Sequence, residues 1–250
     1  KSVVSVVFVY QVIAIVYNID TSKRKECAMA FGPMMKLTTD RGLSVELAPF
    51  ARDNLAVFVE GFARGTVTQY LSAHRAQTIE TEQVWYDEMI KNKTKLVWGI
   101  WAVDGDKRQL IGNTALTEIT KDHVHYATSG IVITDKKYWG QGIASACHRA
   151  RTWYAFENLG LHRIKSAVIH GNAASWRALE KCGYELVYTE RNEEFVNGKL
   201  RHMDCLECLN PADWAWRQWW GDDRPPRKSL EARKRAQAAV DWARQNVTLE

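Results

Sequence analysis

The chain has 250 residues, of which 46% are hydrophobic and 25% charged, and a formal net charge of +5 at pH 7. This is enough for one domain with additions or two small ones, and it excludes a disordered chain, a collagen-like chain and a multi-span membrane protein. The mild basicity suits an anionic ligand without requiring nucleic acid. The five cysteines, Cys27, Cys147, Cys182, Cys205 and Cys208, are odd in number and irregular in spacing, which argues against a secreted disulfide framework. Cys205 and Cys208 make a single C-x-x-C inside a strand-like run. Residues three apart there face opposite sides, so they read as structural thiols rather than as a metal or redox pair.

Residues 3–17 are apolar apart from Ser5 and Gln11. Three readings are open: sequence translated upstream of a start at Met29, Met34 or Met35; a membrane anchor, for which the run is short of about 20 residues; or a signal peptide. Ala28-Met29-Ala30 mimics a cleavage site, but Lys23, Arg24, Lys25 and Glu26 precede it, which is poor chemistry for that role. The first reading is preferred, because a coherent domain begins just after Met35. The expected organisation is therefore a segment outside the domain at 1–36, a domain at 37–209 and an extension at 210–250.

Residues 43–47 read as a strand ended by Pro49. Residues 51–71 carry a helical period through Leu55, Phe58, Val59, Phe62 and Val67. A second helix fits 79–91, capped by Thr78 or Thr81, with Glu80 and Glu82 in its first turn complementing the helix dipole. Strands at 96–103, 110–119 and 125–134 form an antiparallel meander. A helix then runs from Gly140 and Gly142 to about Leu159, followed by a strand at 162–170 and a helix at 172–182 stopped by Gly183. Strands at 184–188 and 200–209 are joined through Asn197-Gly198, a hairpin pair. The alternation predicts an α/β fold with a mixed central sheet of about six to seven strands and flanking helices. Pro211 marks a boundary, after which a Ser-capped, Ala-rich helix is expected at 230–246.

The stretch Thr134–Ala144, TDKKYWGQGIA, follows an apolar strand and opens a helix. Gly140 and Gly142 let a ligand approach the backbone, and the first helical N–H groups are unpaired donors suited to a pyrophosphate. Lys136 and Lys137 add positive potential. The spacing matches neither the dinucleotide fingerprint nor the nucleoside-triphosphate loop. A tight strand–helix turn with no ligand is the competing reading of these glycines alone.

The spacing Lys137-x-x-Gly140-x-Gly142 resembles the [Q/R]-x-x-G-x-[G/A] loop of the GNAT superfamily of acyl-CoA N-acyltransferases, with Lys in the first place. Asn172, Ser175, Leu179, Glu180, Lys181, Gly183 and Tyr184 match that family's N-x-x-S-x-x-x-L-E-K-x-G-[FY] pattern. Arg191, Phe195, Gly198, Lys199 and Asp204 match its late strand pair. The resemblance covers about 43–209 and is nearest the ribosomal-protein (RimJ/RimL-like) and spermidine acetyltransferase branch.

The resemblance implies a GNAT fold, acetyl-CoA as co-substrate and no metal. It places acetyl-CoA between two splayed parallel strands, with backbone groups of Ile131, Val132 and Ile133 along the pantetheine arm and Lys137, Trp139, Gly140, Gln141, Gly142, Ile143 and Ala144 around the pyrophosphate. Backbone N–H groups would stabilise the oxyanion by about 3 kcal/mol each. Asn172 would bond the pantetheine arm, a role compatible with capping the helix 173–182. The general acid that many relatives carry as Tyr falls at Leu179, which leaves Ser175 as the candidate to protonate the thiolate. The Glu that relatives use as base falls at Thr128, and Glu118 is the leading replacement, with Asp122, His123, His125 or a water relay as alternatives.

A weak base favours an acceptor of low pKa, such as an α-amine near 8, over a lysine amine near 10.4. The expected acceptor is therefore a protein or peptide N-terminal amine, and the alternative is a small amine such as a polyamine or an aminoglycoside. A polyamine would need converging carboxylates, for which Glu118, Asp122, Glu190, Glu193 and Glu194 are available. A non-catalytic acyl-CoA-binding module is the remaining alternative. Trp214, Trp216, Trp219 and Trp220 sit beside Arg217 and Arg224 in the tail. They suit stacking on single-stranded nucleic acid, but eight Lys/Arg against six Asp/Glu from Pro211 onward is weak electrostatics for it. A tail clamped onto the domain surface is preferred, over a homodimer or partner contact. The cofactor and the reduced cysteines point to the cytoplasm.

Overall fold

The computed structural model describes residues 30–71 and 76–250. The apolar run at 3–17, its candidate cleavage site and Cys27 lie outside these residues. Two strands, β1 (Met35–Thr38) and β2 (Ser44–Ala48), lead into three helices, α1 (Ala56–Phe62), α2 (Gly65–Thr68) and α3 (Ile79–Met89). The meander follows as β3 (Leu96–Asp104), β4 (Lys107–Thr120) and β5 (Tyr126–Ile133). Then come α4 (Ile143–Trp153), β6 (Arg163–Ile169), α5 (Ala173–Lys181), β7 (Glu185–Val196) and β8 (Lys199–Leu209). The chain finishes with α6 (Asp213–Trp220), α7 (Arg227–Asn246) and β9 (Val247–Leu249).

The strands make one nine-stranded sheet in the order β7-β8-β6-β5-β4-β3-β2-β1-β9. Every neighbouring pair is antiparallel except β5 and β6. Both faces of the sheet are covered, which explains the unbroken apolar run of β3. Leu96, Trp98 and Ile100 join the larger core, with Ile143, Cys147 and Ala150 of α4 and Ala236, Ala239 and Val240 of α7. Val97 faces the other way, into a smaller aromatic-rich core with Phe50, Leu55, Phe58 and Met89. Burial pushes the thiols of Cys147 and Cys182 up to about 12 and that of Cys208 well above its ordinary value. These are packing residues, and Cys205 is half-buried.

The sheet has two strands more than the upper expectation: β1 straddles the expected start of the domain and β9 lies beyond its expected end. β1 starts at Met35, which is fully buried, so a boundary after residue 36 cuts through a paired strand. Residues 30–34 also pack inward: Phe31 bridges Val97, and the Trp98 indole N–H donates to the Pro33 carbonyl at 2.9 Å. At the other end β9 pairs with β1. Strands of four and three residues carry no period that a sequence can display.

The tail is built into the same body. α7 lays an alanine stripe, Ala232, Ala236, Ala239 and Ala243, against the core. It approaches so closely that a Cβ on Gly183 would stand 2.5 Å from the Ala236 nitrogen. Its N-cap is Pro226, three residues before the expected Ser229, which is buried in the first turn. α6 occupies the Trp-rich stretch ahead of the helix expected in the extension. There Trp216 is buried under the Arg233 guanidinium at 4.7 Å, Trp214 meets the His162 ring edge-on at 5.4 Å, and Trp219 lies under Arg163 at 5.1 Å.

Candidate active site

The parallel pair β5–β6 is hydrogen-bonded over only three residue pairs, Tyr126–Arg163, Ala127–Ile164 and Thr128–Lys165. Beyond them the strands part. The last link at the fork is the Ser166 hydroxyl, which donates to the Ser129 carbonyl at 3.3 Å. Ser129 Oγ lies 3.2 Å from the buried Tyr184 hydroxyl.

The register fixes which backbone groups face this opening. Thr134 N–H donates to the Ile111 carbonyl, so the bonded pairs alternate through Val132 with Asn113 and Gly130 with Ala115. Backbone groups of Val132 therefore point at β4 and those of Ile131 and Ile133 into the splay. The Ile133 carbonyl is taken by the Trp139 indole N–H at 2.9 Å. Among the three residues expected along a pantetheine arm, the open groups are thus both of Ile131 and the N–H of Ile133.

The glycine loop lies at the open end of the splay. Asp135 caps a short 3₁₀ turn over Lys136–Tyr138, and its carboxylate accepts from Lys137 N–H at 3.0 Å. Gly140 and Gly142 both have positive φ, +71° and +82°, and no neighbour lies within 4 Å of a Cβ placed on Gly140. Gly142 is the N-cap of α4 and has no side chain to satisfy the helix. Ala146 N–H reaches back to the Gly142 carbonyl, so the N–H groups of Ile143, Ala144 and Ser145 have no partner within the helix. These donors and the helix dipole suit an anion. The ammonium of Lys137 stands nearby, 3.4 Å from Asp135 and 3.2 Å from Gln109 Oε1, and the Gln141 side chain ties back to the Lys137 carbonyl.

Across the splay, α5 begins at Asn172, whose side chain accepts from Ser175 N–H at 3.2 Å. Asn172 thus caps the helix, as its residue type predicts. The Ser175 hydroxyl is half-buried, has no hydrogen-bond partner among the described residues, and lies on the same helix face as buried Leu179. Asp204 anchors this corner. Its carboxylate accepts from His170 Nε2 and Thr189 Oγ1, both at 2.8 Å, and from Trp176 Nε1 at 3.0 Å. Burial pushes its pKa up, but the three hydrogen bonds outweigh that and hold it below the ordinary carboxylate value.

On the opposite face of the sheet, a cavity of about 410 Å³ has Asn113, Ala115 and Gly130–Val132 for its floor. Phe62, Leu71 and Trp85 wall it, and Gln77, Thr81 and Glu82 supply its polar groups. α1 crosses the end of β5 very closely, since a Cβ on Gly61 would stand 2.4 Å from that of Thr134. This brings Phe62 over the floor. Glu82 is buried, its carboxylate has no hydrogen bond or ion pair among the described residues, and its pKa is raised by desolvation. Glu80, half a turn earlier, is exposed and shifted the other way by its bond with Thr78.

Glu118 does not line this cavity. It sits exposed at an irregularity in β4 with φ +53°, and its carboxylate accepts from Thr128 Oγ1 at 2.7 Å. Asp122, His123, His125, Glu190, Glu193 and Glu194 do not line it either. The His125 ring meets that of His162 at a tilt, with centroids 4.8 Å apart. Glu82 is the acidic residue that sequence reasoning assigned to the helix dipole alone. The signal that finds it is its place on the inward stripe with Trp85 and Met89, where a charge is out of pattern. The described residues contain no cluster able to hold a metal ion, and no helix among them is long and apolar enough to cross a membrane.

Comparison with known proteins agrees with this architecture. The family model "Acetyltransferase (GNAT) domain" matches residues 44–185. The chain is 31% identical over 156 residues to "Probable N-acetyltransferase YjcK" of Bacillus subtilis (strain 168), covering 62% of this chain and 83% of that protein. Among solved structures it resembles the spermidine N-acetyltransferase from Vibrio cholerae in complex with CoA and spermine, with a TM-score of 0.61 at 21% identity over 66% of this chain and 95% of the other. It also resembles a GNAT-family acetyltransferase from Bacillus anthracis, with a TM-score of 0.58 at 18% identity over 71% and 99% of the two chains.

Proposed function

The chain belongs to the GNAT acetyltransferase family, and from that premise we propose that it acetylates a small primary amine held over Gly130 by Glu82. The enzyme is an acetyl-CoA-dependent acyltransferase, and acetyl-CoA supplies the activated acetyl thioester. The unpaired α4 N–H groups and Lys137 would hold its pyrophosphate. Ile131 and Ile133 would line its pantetheine arm, and Asn172 would close the corner. Ile131 N–H would donate to the thioester oxygen as negative charge develops there.

The observation that carries the acceptor reading is Glu82, a buried and unpartnered carboxylate in a cavity floored by that same backbone. A carboxylate raised by burial is a better base at neutral pH than an exposed one. It takes the proton from the bound ammonium, and the neutral amine attacks the thioester from the cavity side. Ser175 would pass its proton to the departing thiolate as its oxygen takes the proton that the attacking nitrogen loses on forming the amide. This assignment moves the base from Glu118 to Glu82 and lifts the restriction to amines of low pKa.

One carboxylate among Phe62, Leu71 and Trp85 suits one ammonium on an apolar or aromatic body. A polyamine's further charges would meet only Gln77, Thr81 and Asn113. The same neutral polar groups favour a second reading, the N-terminal residue of a peptide, because a peptide backbone could bond to them. The second reading fits the ribosomal-protein branch of the resemblance, and the cofactor suits a cytoplasmic enzyme.

The test is thiol release from acetyl-CoA with separate pools of alkyl and arylalkyl monoamines, polyamines, aminoglycosides and peptides with free N-termini, against a no-acceptor control. Monoamines are expected to be the best acceptors. Release with polyamines alone would overturn the single-charge reading, and release with peptides alone would replace it by the second.

A further inference from the structure

Arg151 is fully buried on the sheet side of α4. Its Nη1 donates to the Gly130 carbonyl at 2.6 Å and also to Thr114 Oγ1, and its Nη2 lies 2.6 Å from His148 Nδ1. No carboxylate pairs with it among the described residues. Burial, with the Arg151 charge beside it, holds the His148 pKa well below its ordinary value, so the imidazole is neutral and accepts at Nδ1. A guanidinium buried without a counter-ion is costly. An apolar side chain would fill the same buried space without that cost.

The location of the charge gives it a use. The Gly130 carbonyl points at β4 and Arg151. The N–H at the other end of the same planar peptide belongs to Ile131 and points into the splay. Peptide resonance couples the two ends: a cation on the oxygen draws density from the nitrogen and strengthens the N–H as a donor. We propose that Arg151 is a positioning residue for acetyl transfer, polarising the Gly130–Ile131 peptide from beneath the sheet so that Ile131 N–H binds the thioester oxygen more strongly as it becomes negative. This rests on the reading of Ile131 as the oxyanion donor. Arg151 touches neither substrate and acts through the backbone alone. Thr114 supports it by donating to the same Gly130 carbonyl at 3.0 Å.

The experiment uses the full chain and acetyl-CoA labelled with ¹³C at the thioester carbonyl, so it needs no acceptor. Isotope-edited infrared spectroscopy reads the carbonyl stretch of the bound molecule, and a titration gives its Kd. In the wild type the stretch should lie below its solution value. In Arg151→Met it should move back toward that value with Kd unchanged, and Arg151→Lys should fall between. With the acceptor found by thiol release, Arg151→Met should lower kcat about tenfold at constant KM for acetyl-CoA, less than the loss of a whole oxyanion donor because the N–H is still present. If Arg151→Met does not fold, the apolar pair Arg151→Leu with Thr114→Val replaces the network as a unit. A bound carbonyl stretch equal in wild type and variants overturns the inference and leaves Arg151 as a tie between helix and sheet. Failure of the wild type to bind acetyl-CoA overturns the cofactor site itself.

Discussion

The two faces of the sheet at Gly130 are built in different ways. On the α4 side the groups proposed to face the ligand are mostly backbone groups from one continuous stretch, 131–145, joined by the side chains of Lys137 and Asn172. On the α1–α3 side the cavity is assembled from side chains of separate segments, Phe62, Leu71, Glu82 and Trp85, over a floor of β4 and β5. A backbone site depends on a few glycines and a helix start, so it is written locally. A side-chain site depends on which elements meet, and its chemistry changes with any one of them. The first face therefore speaks to the family, and the second to the individual acceptor.

Truncation after Leu209 should have the largest effect, because it strips α7 from the core under α4 and β9 from β1. Soluble yield and thermal unfolding should both collapse, and a folded, acetyl-CoA-binding product would detach the tail from the cofactor face. Next comes Glu82→Gln, expected to lower kcat by about 10²–10⁴-fold with the KM for acetyl-CoA unchanged. Its pH profile carries the sign. Because the folded pKa of Glu82 is raised, the acid limb of wild-type kcat should lie above the ordinary Glu value near 4.3 and vanish in the variant.

Stability should move in the opposite sense. The raised pKa favours folding of the protonated form, and that contribution is lost as pH rises through the folded value. The variant should therefore match or exceed the wild-type Tm at pH 7, with the difference closing as pH falls below the ordinary Glu range. Gly142→Asp should raise the Kd for acetyl-CoA about 100-fold or more by putting a Cβ at φ +82° and a negative charge beside the helix start. It should leave the cavity on the other face intact, and unchanged affinity would remove the loop from the cofactor site. The smallest effect is expected from Ser175→Ala, about tenfold in kcat with Kd unchanged. An unaltered rate would return that hydroxyl to the helix surface.

The same division explains what the sequence could tell. Elements with a period or a stop signal, such as β3, α3 capped by Thr78 and α5 ended by Gly183, are legible because their physics is local. β1 and β9 are not, since a strand of three or four residues exists only because a partner is there. The loop at Gly140 and Gly142 and the cap at Asn172 are legible for the first reason. Glu82 is legible only in part: its place on the inward stripe with Trp85 and Met89 separates it from Glu80, but the cavity it faces exists only where α1, α3 and the sheet meet. Arg151 escapes, since nothing in the sequence places its guanidinium on a particular carbonyl.

The pairing of β1 with β9 has a kinetic consequence. It sets Met35 beside Leu249, and Glu250 N–H donates to the Met34 carbonyl while its carboxylate pairs with Lys36 at 2.7 Å. A contact this distant along the chain is among the last to be reached, since closing so long a loop must be offset by contacts already made. On the ribosome, β1 would emerge long before β9 and wait with one edge unpaired, an exposure that invites other strands. β1 loses its open edge only when residues 247–250 arrive and set a three-residue strand there, so this edge is the last part of the sheet to close.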